Sequence, residues 1–196
     1  MPRPRQFDEA EVICAARDEF WSRGYAGTSV DNLTAATGLG KGSLYGAFGD
    51  KHTLYLRALD DWIADSMAKV RRQLQDPRRG AYDRLVRHVR AEAKAIAADK
   101  TLRGCMIAKS AAELSATDPA VERAVERAYR EWRTLLADCI EAAQRDGSID
   151  SDRDPRTLAT VLLGFLRGLE ALHKGGVKSS QLIAAADEVI SLISRA

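Results

Sequence analysis

Residues 38–51 read Gly38-Leu39-Gly40-Lys41-Gly42-Ser43-Leu44-Tyr45-Gly46-Ala47-Phe48-Gly49-Asp50-Lys51, with five glycines in fourteen residues. Glycine weakens a helix interior by about 1 kcal/mol relative to alanine, yet the segments on both sides carry helical periodicity. A phosphate-binding Walker loop would need Gly-Lys-Ser/Thr, and Lys41 is followed by Gly42. A dinucleotide-binding turn would need a glycine where Ser43 stands and a strand where the preceding segment is helical. A flexible linker would not interleave Leu39, Leu44, Tyr45 and Phe48 at helical spacing, with Leu44 and Phe48 on one face.

A helix-turn-helix fits. Ser29 caps a short helix from Val30 to Thr37, whose buried stripe is Val30, Leu33 and Ala36. Gly38 supplies the left-handed residue of the turn, and Leu39 plugs it against the core. A second short helix runs from Lys41 to Phe48 and buries Leu44 and Phe48. Gly42 and Gly46 then share the opposite face. A face that meets only solvent gains nothing from two glycines, whereas a backbone that must come close to a bulky ligand does. The DNA major groove is such a ligand. The plain alternative is a poor helix held in place by its neighbours.

Outward from this stretch the helical pattern continues. Asp8 and Glu11 form a capping-box pattern, Phe7 can staple to Val12, and the first helix turns Ile13, Ala16 and Phe20 inward, with Cys14 on or beside that face. Gly24 ends it. Asp50 caps a long helix to about Leu74, closed by the turn Asp76-Pro77-Arg78-Arg79-Gly80. Leu85, Val86, Val89, Ala93 and Ile96 mark a further helix, and a shorter one follows from Arg103 to Ser115. Asp118-Pro119 opens a helix to Arg145, Asp154-Pro155 opens a strongly apolar one that Gly175-Gly176 stops, and Ser180 opens the last. The expectation is an all-α fold of nine helices, with a three-helix head over residues 1–50 and a helical body over residues 51–196.

Composition narrows the function. The chain has 196 residues, 45% hydrophobic and 30% charged, with a net charge of +2, so global charge announces no partner. Three cysteines without close spacing favour neither a disulfide framework nor a zinc site, and His52, His88 and His173 are scattered. No nucleophile motif appears. We therefore expect no metal, no cofactor and no enzyme. No apolar run would span a membrane, and the N-terminus lacks a signal-peptide core. The expected location is the cytoplasm.

Phe20-x-x-x-Gly24-Tyr25, Thr28-Ser29-Val30 and the run from Gly38 to Lys51 together resemble the N-terminal domain of TetR-family (tetracycline-repressor-type) transcriptional regulators. The resemblance implies a homodimer with a DNA-binding head and a body that takes a small effector, which releases the dimer from a palindromic operator. Carried over by position, Lys41, Gly42, Ser43, Tyr45, Gly46 and Ala47 lie in the recognition helix. Ser29 offers its hydroxyl and amide to a phosphate, Tyr45 touches the DNA backbone, and Lys51 binds phosphate. Gly40 departs from a common serine, and Gly46-Ala47 from larger polar residues. Base readout then falls on Lys41, Ser43, the Ala47 methyl or DNA shape. Arg3 and Arg5 can form a minor-groove arm or a solvated tail.

In the body, Leu158, Leu162, Leu166 and Leu169 with Ile183, Ala186, Ile190 and Ile193 are expected to form a four-helix dimer interface. Met67, Val89, Ile96, Cys105, Met106, Trp132, Leu136, Cys139 and Phe165 are the candidate lining of a pocket for a largely apolar effector, or only core. No buried charge pair announces an ionic site. Cys105 lies near a helix start between Arg103 and Lys109, a setting that lowers a thiol pKa. An oxidant or electrophile sensor is thus one alternative, and a helical protein-interaction module without DNA binding is another. The expected partners are double-stranded operator DNA, a small effector and a second copy of the chain, with no membrane.

Overall fold

The computed structural model describes residues 7–150 and 152–194. Nine helices and no strand occur among them. Arg3 and Arg5 lie outside the described residues.

Packing divides the chain into two units, one formed by Met1–Asp65 and Cys105–Glu126, the other by Ser66–Gly104 and Arg127–Ala196. The first unit holds α1 (Glu9–Gly27), α2 (Val30–Thr37), α3 (Lys41–Phe48), the start of α4 (Lys51–Leu74), α6 (Met106–Leu114) and the start of α7 (Pro119–Arg145). The local start and stop signals act as expected. Asp8 accepts from the Ala10 N–H, and Asp50 accepts from the Thr53 N–H. Ser29 caps α2 in a reciprocal box with Asn32, and Gly38 adopts φ 68° after it. Phe20, Leu33, Leu44, Leu54 and Leu59 are fully buried and close this core.

Two features differ from expectation. Gly24 breaks α1 at φ 77°, ψ 174°, but helix resumes as far as Gly27. Thr28 then stitches the break, its hydroxyl donating to the Gly24 carbonyl at 2.6 Å. The helix expected from Arg103 begins only at Met106. Asp99 explains the delay: its carboxylate accepts from the Thr101 and Gly104 N–H groups and holds a turn, with Leu102 and Gly104 at positive φ.

The second unit is built on α5 (Ala81–Ala98), against which α8 (Pro155–Lys174) and α9 (Ser179–Ile193) both pack. Asp154 caps α8 through the Thr157 N–H, with Pro155 in the first turn. Leu158, Leu162, Leu166, Leu169, Ala186, Ile190 and Ile193 are all buried here, and Ile183 is half-buried. The sequence assigns these residues to a contact between two chains; within the single chain the seven buried ones pack into the core of their own unit, and Ile183 keeps an exposed part. An apolar stripe broader than one helix face has an inner and an outer side, and periodicity does not say which is which. The exposed side of α8 carries Val161 and Leu172, and α9 exposes Leu192.

Candidate nucleic-acid interface

The two faces of α3 separate as the glycine spacing requires. Leu44 and Phe48 are buried, whereas Lys41, Gly42, Ser43 and Gly46 are exposed and Tyr45 and Ala47 half-buried. Apart from adjacent residues and the helix's own backbone, no described atom lies within 4 Å of where a Cβ would sit on Gly42 or Gly46. Internal packing therefore does not explain the two glycines.

Lys51 opens α4 beside this face. Its ammonium stands 4.4 Å from the centroid of the Tyr25 ring, a seat that holds the charge without neutralising it. Tyr25 is fixed in turn by Tyr55, with ring centroids 5.0 Å apart, and its hydroxyl pKa is raised by burial and then by Asp50. Spacing alone did not mark Tyr25 as the seat of Lys51; its place in the Gly24-Tyr25 pair was the available signal. Tyr45 has its pKa raised by burial and then by Asp50, so it stays a neutral hydroxyl at physiological pH.

Ser29 sits where expected, exposed at the start of α2, but its donors are engaged. Its N–H and hydroxyl both donate to Asn32 Oδ1, at 2.9 and 2.8 Å. A phosphate arriving there meets the N-terminal end of α2 and competes with Asn32 for both. Arg57 of α4 pairs with Glu9 at 2.5 Å and lies over the Phe48 ring. It serves the head's own packing.

His52 and Asp118 form a pair at 2.5 Å that joins the first turn of α4 to the cap of α7. Burial would raise the Asp118 pKa, but the His52 ring and the Val121 and Ala120 N–H groups bring it below the usual carboxylate range.

The nine candidate pocket residues are divided between the units. Cys105 and Met106 are buried in the first; Met67, Val89, Ile96, Trp132, Leu136 and Cys139 are buried in the second, where Phe165 is half-buried. The second unit also holds a charge pair that the sequence did not announce. Arg167 meets Glu170 at 2.8 Å with both side chains mostly buried, and its guanidinium lies 4.9 Å from the Trp132 ring centroid. Its spacing of three on α8 was the only local sign. Ile96 borders a small cavity of about 10 Å³ with Glu170, His173 and Lys174, room for about one water. A groove of about 190 Å³ on the same unit is lined by Arg130, Arg133, Thr134, Ala137, Asp138 and Arg156.

Two thiols differ from expectation. Cys105 occupies the cap of α6 but is buried, and Lys109 donates to the Trp21 and Ser22 carbonyls. Cys14, placed on or beside the core face, is exposed. Among the described residues no group of histidine, cysteine and carboxylate side chains could hold a metal ion, and no helix is long and apolar enough to cross a membrane.

This geometry agrees with what the chain is similar to. Residues 12–58 match the family model for bacterial regulatory proteins of the tetR family, and residues 81–182 match that for the tetracyclin repressor-like C-terminal domain. The repressor DhaR of Mycobacterium sp. (strain GP1) is 30% identical over 149 residues, 76% of this chain and 73% of its own. The repressor ComR of Escherichia coli (strain K12) is 25% identical over 190 residues, 97% of this chain and 90% of its own. A solved structure of the TetR-family regulator CifR, a cysteine mutant complexed with a 26-base-pair operator duplex, superimposes with a TM-score of 0.83. It is 29% identical, with 97% of this chain and 99% of that one covered. The chain belongs to the TetR family and is a DNA-binding transcriptional regulator, with α2 and α3 as its helix-turn-helix.

Proposed function

We propose that the chain acts in the cytoplasm as a homodimeric repressor that grips a palindromic operator with α3 and releases it when a small molecule enters the body. The observation that carries this reading is the outer face of α3, bare at Gly42 and Gly46, flanked by the exposed Lys41 and by Lys51 on its tyrosine seat. The glycines let the α3 backbone approach the base edges closely. Lys41, Ser43 and the Ala47 methyl then read bases, while Lys51, the Tyr45 hydroxyl and the α2 N-terminus at Ser29 hold phosphates.

The partner-facing surface is the outer side of α8, where Val161 and Leu172 are about half exposed with Gly164 and Gly168 between them, together with Leu192 of α9. A two-fold axis through this stripe buries it in both copies. The effector is largely apolar, in keeping with the apolar body, and the Arg167–Glu170 pair beside Trp132 gives the body a polar contact for it.

The test is an anisotropy titration with a duplex that the wild-type protein itself selects from random-sequence DNA. Lys51→Ala should weaken binding to selected and random duplexes alike and reduce the salt slope by about one. Gly46→Glu should abolish binding in a protein with unchanged helicity. Wild-type affinity in both variants would remove α3 and Lys51 from the interface.

A further inference from the structure

α6 is remote in sequence from the motif that defines the head, yet it makes four hydrogen bonds to the backbone of α1 where that helix breaks. Lys109 Nζ donates to the Trp21 and Ser22 carbonyls at 2.6 and 3.3 Å. Glu113 accepts from the Tyr25 N–H at 2.9 Å and the Ala26 N–H at 2.6 Å. The break at Gly24 creates two new helix ends: carbonyls before it that have lost their partners, and N–H groups after it that have lost theirs. The signs match the ends. The ammonium stands at the carbonyl end and the carboxylate at the N–H end, as each end's partial charge favours. Lys109 and Glu113 are four residues apart, so one face of α6 serves both ends of the break. Gly24 leaves room for the carboxylate: a Cβ there would come within 2.7 Å of Glu113 Oε2.

The segment held in this way supports two of the DNA-contacting groups, Lys51 and Ser29. Tyr25, whose N–H is bound by Glu113, is the ring beneath Lys51. Thr28 closes the break and is followed by Ser29, which starts α2. α6 also holds the neighbouring helix, since Ser110 accepts from the Tyr55 hydroxyl at 2.7 Å and Tyr55 packs on Tyr25.

We infer that Glu113 and Lys109 are positioning residues for DNA binding: by bonding the backbone at the α1 break, they fix Tyr25, Lys51 and Ser29 in the arrangement that the phosphates require. α6 is therefore a working part of the DNA-binding head. This inference rests on the DNA-binding reading above.

The experiment uses full-length protein and a duplex selected from random-sequence DNA by the wild type. Glu113→Ala and Lys109→Ala should each weaken binding by about tenfold, the loss expected when a charge-assisted hydrogen bond is removed. The salt slope should stay at the wild-type value, because no phosphate contact is deleted. A stoichiometric titration separates positioning from lost folding: positioning leaves every dimer competent and weakens Kd, whereas a folding defect lowers the competent fraction at unchanged Kd. The exchange variant Lys109→Glu/Glu113→Lys keeps the net charge but reverses both signs at the break. It should bind more weakly than the double alanine variant. Glu113→Gln keeps the shape and one acceptor, so it should fall between wild type and Glu113→Ala and serves if the alanine variants do not fold. Wild-type Kd in folded Glu113→Ala and Glu113→Gln, or a reduced competent fraction alone, would overturn the inference. A wild-type protein that selects no duplex would overturn the DNA-binding reading instead.

Discussion

Burial holds His88 neutral, and its hydrogen bonds fix which nitrogen carries the proton. The Trp132 indole N–H can only donate, so Nε2 accepts at 3.1 Å and Nδ1–H donates to Gln73 Oε1 at 2.7 Å. Burial, opposed by the Glu92 carboxylate and aided by smaller effects from Lys69 and Arg167, pushes the imidazole pKa down to about 4 from 6.5. An unfolded chain takes up this proton first as pH falls. The stabilising contribution is therefore complete above pH 6.5 and is lost progressively down to pH 4, a change of roughly 3 kcal/mol. Urea unfolding of wild type and His88→Gln across that range should show the steeper slope in the wild type; parallel curves would mean that His88 is not the group responsible. The cysteines give a second prediction at this scale. Brief iodoacetamide treatment should label the exposed Cys14 first. Cys105 is buried, and Cys139, with its pKa pushed up to about 11 by burial, donates to the Ala81 carbonyl. Labelling of Cys105 as fast as Cys14 would restore its candidacy as a sensor.

Gly24 and its break set the behaviour of α1. Its φ of 77° is a conformation that a side chain strains, and a Cβ would also collide with Glu113. Gly24→Ala should lower stability by about 1–3 kcal/mol in a denaturant titration, whereas Gly27→Ala, which has no such φ and meets only Arg23 Cβ at 3.6 Å, should cost nothing measurable. Equal stability in the two variants would mean that the break is not specified by Gly24. α3 was legible as an element because its information is local: Gly38 before it, Leu44 and Phe48 four apart, and glycines on the other face. The start of α6 was not, because the Asp99 turn that delays it depends on a side chain bonding backbone N–H groups, which periodicity does not register.

For the whole molecule, adjacent apolar residues of α8 have opposite surroundings. Leu162 is fully buried in the chain itself and Val161, next to it, is 52% exposed. Leu162→Asp should give unfolded or insoluble protein, since it forces an unpaired charge into the core. Val161→Asp or Leu172→Asp should give folded, soluble monomers with weakened operator binding. Light scattering and circular dichroism distinguish these outcomes. Folded dimers in both exposed-site variants would exclude the outer face of α8 as the interface.

The sequence by itself determined the helices and the helix-turn-helix, because caps, left-handed glycines and 3.6-residue periodicity act within a few residues of the chain. Ser29, Gly38, Asp50 and Asp154 each mark a boundary through such a contact. The tertiary structure alone decided which side of α8 is inward, since a broad apolar stripe reads the same from either side. It alone joined Arg167, Glu170 and Trp132, and it alone gave Glu113 and Lys109 their partners. Those partners are main-chain groups 87 to 88 residues away. Every residue except proline carries the same N–H and C=O, so a bond to them leaves no mark in the sequence of the segment that receives it.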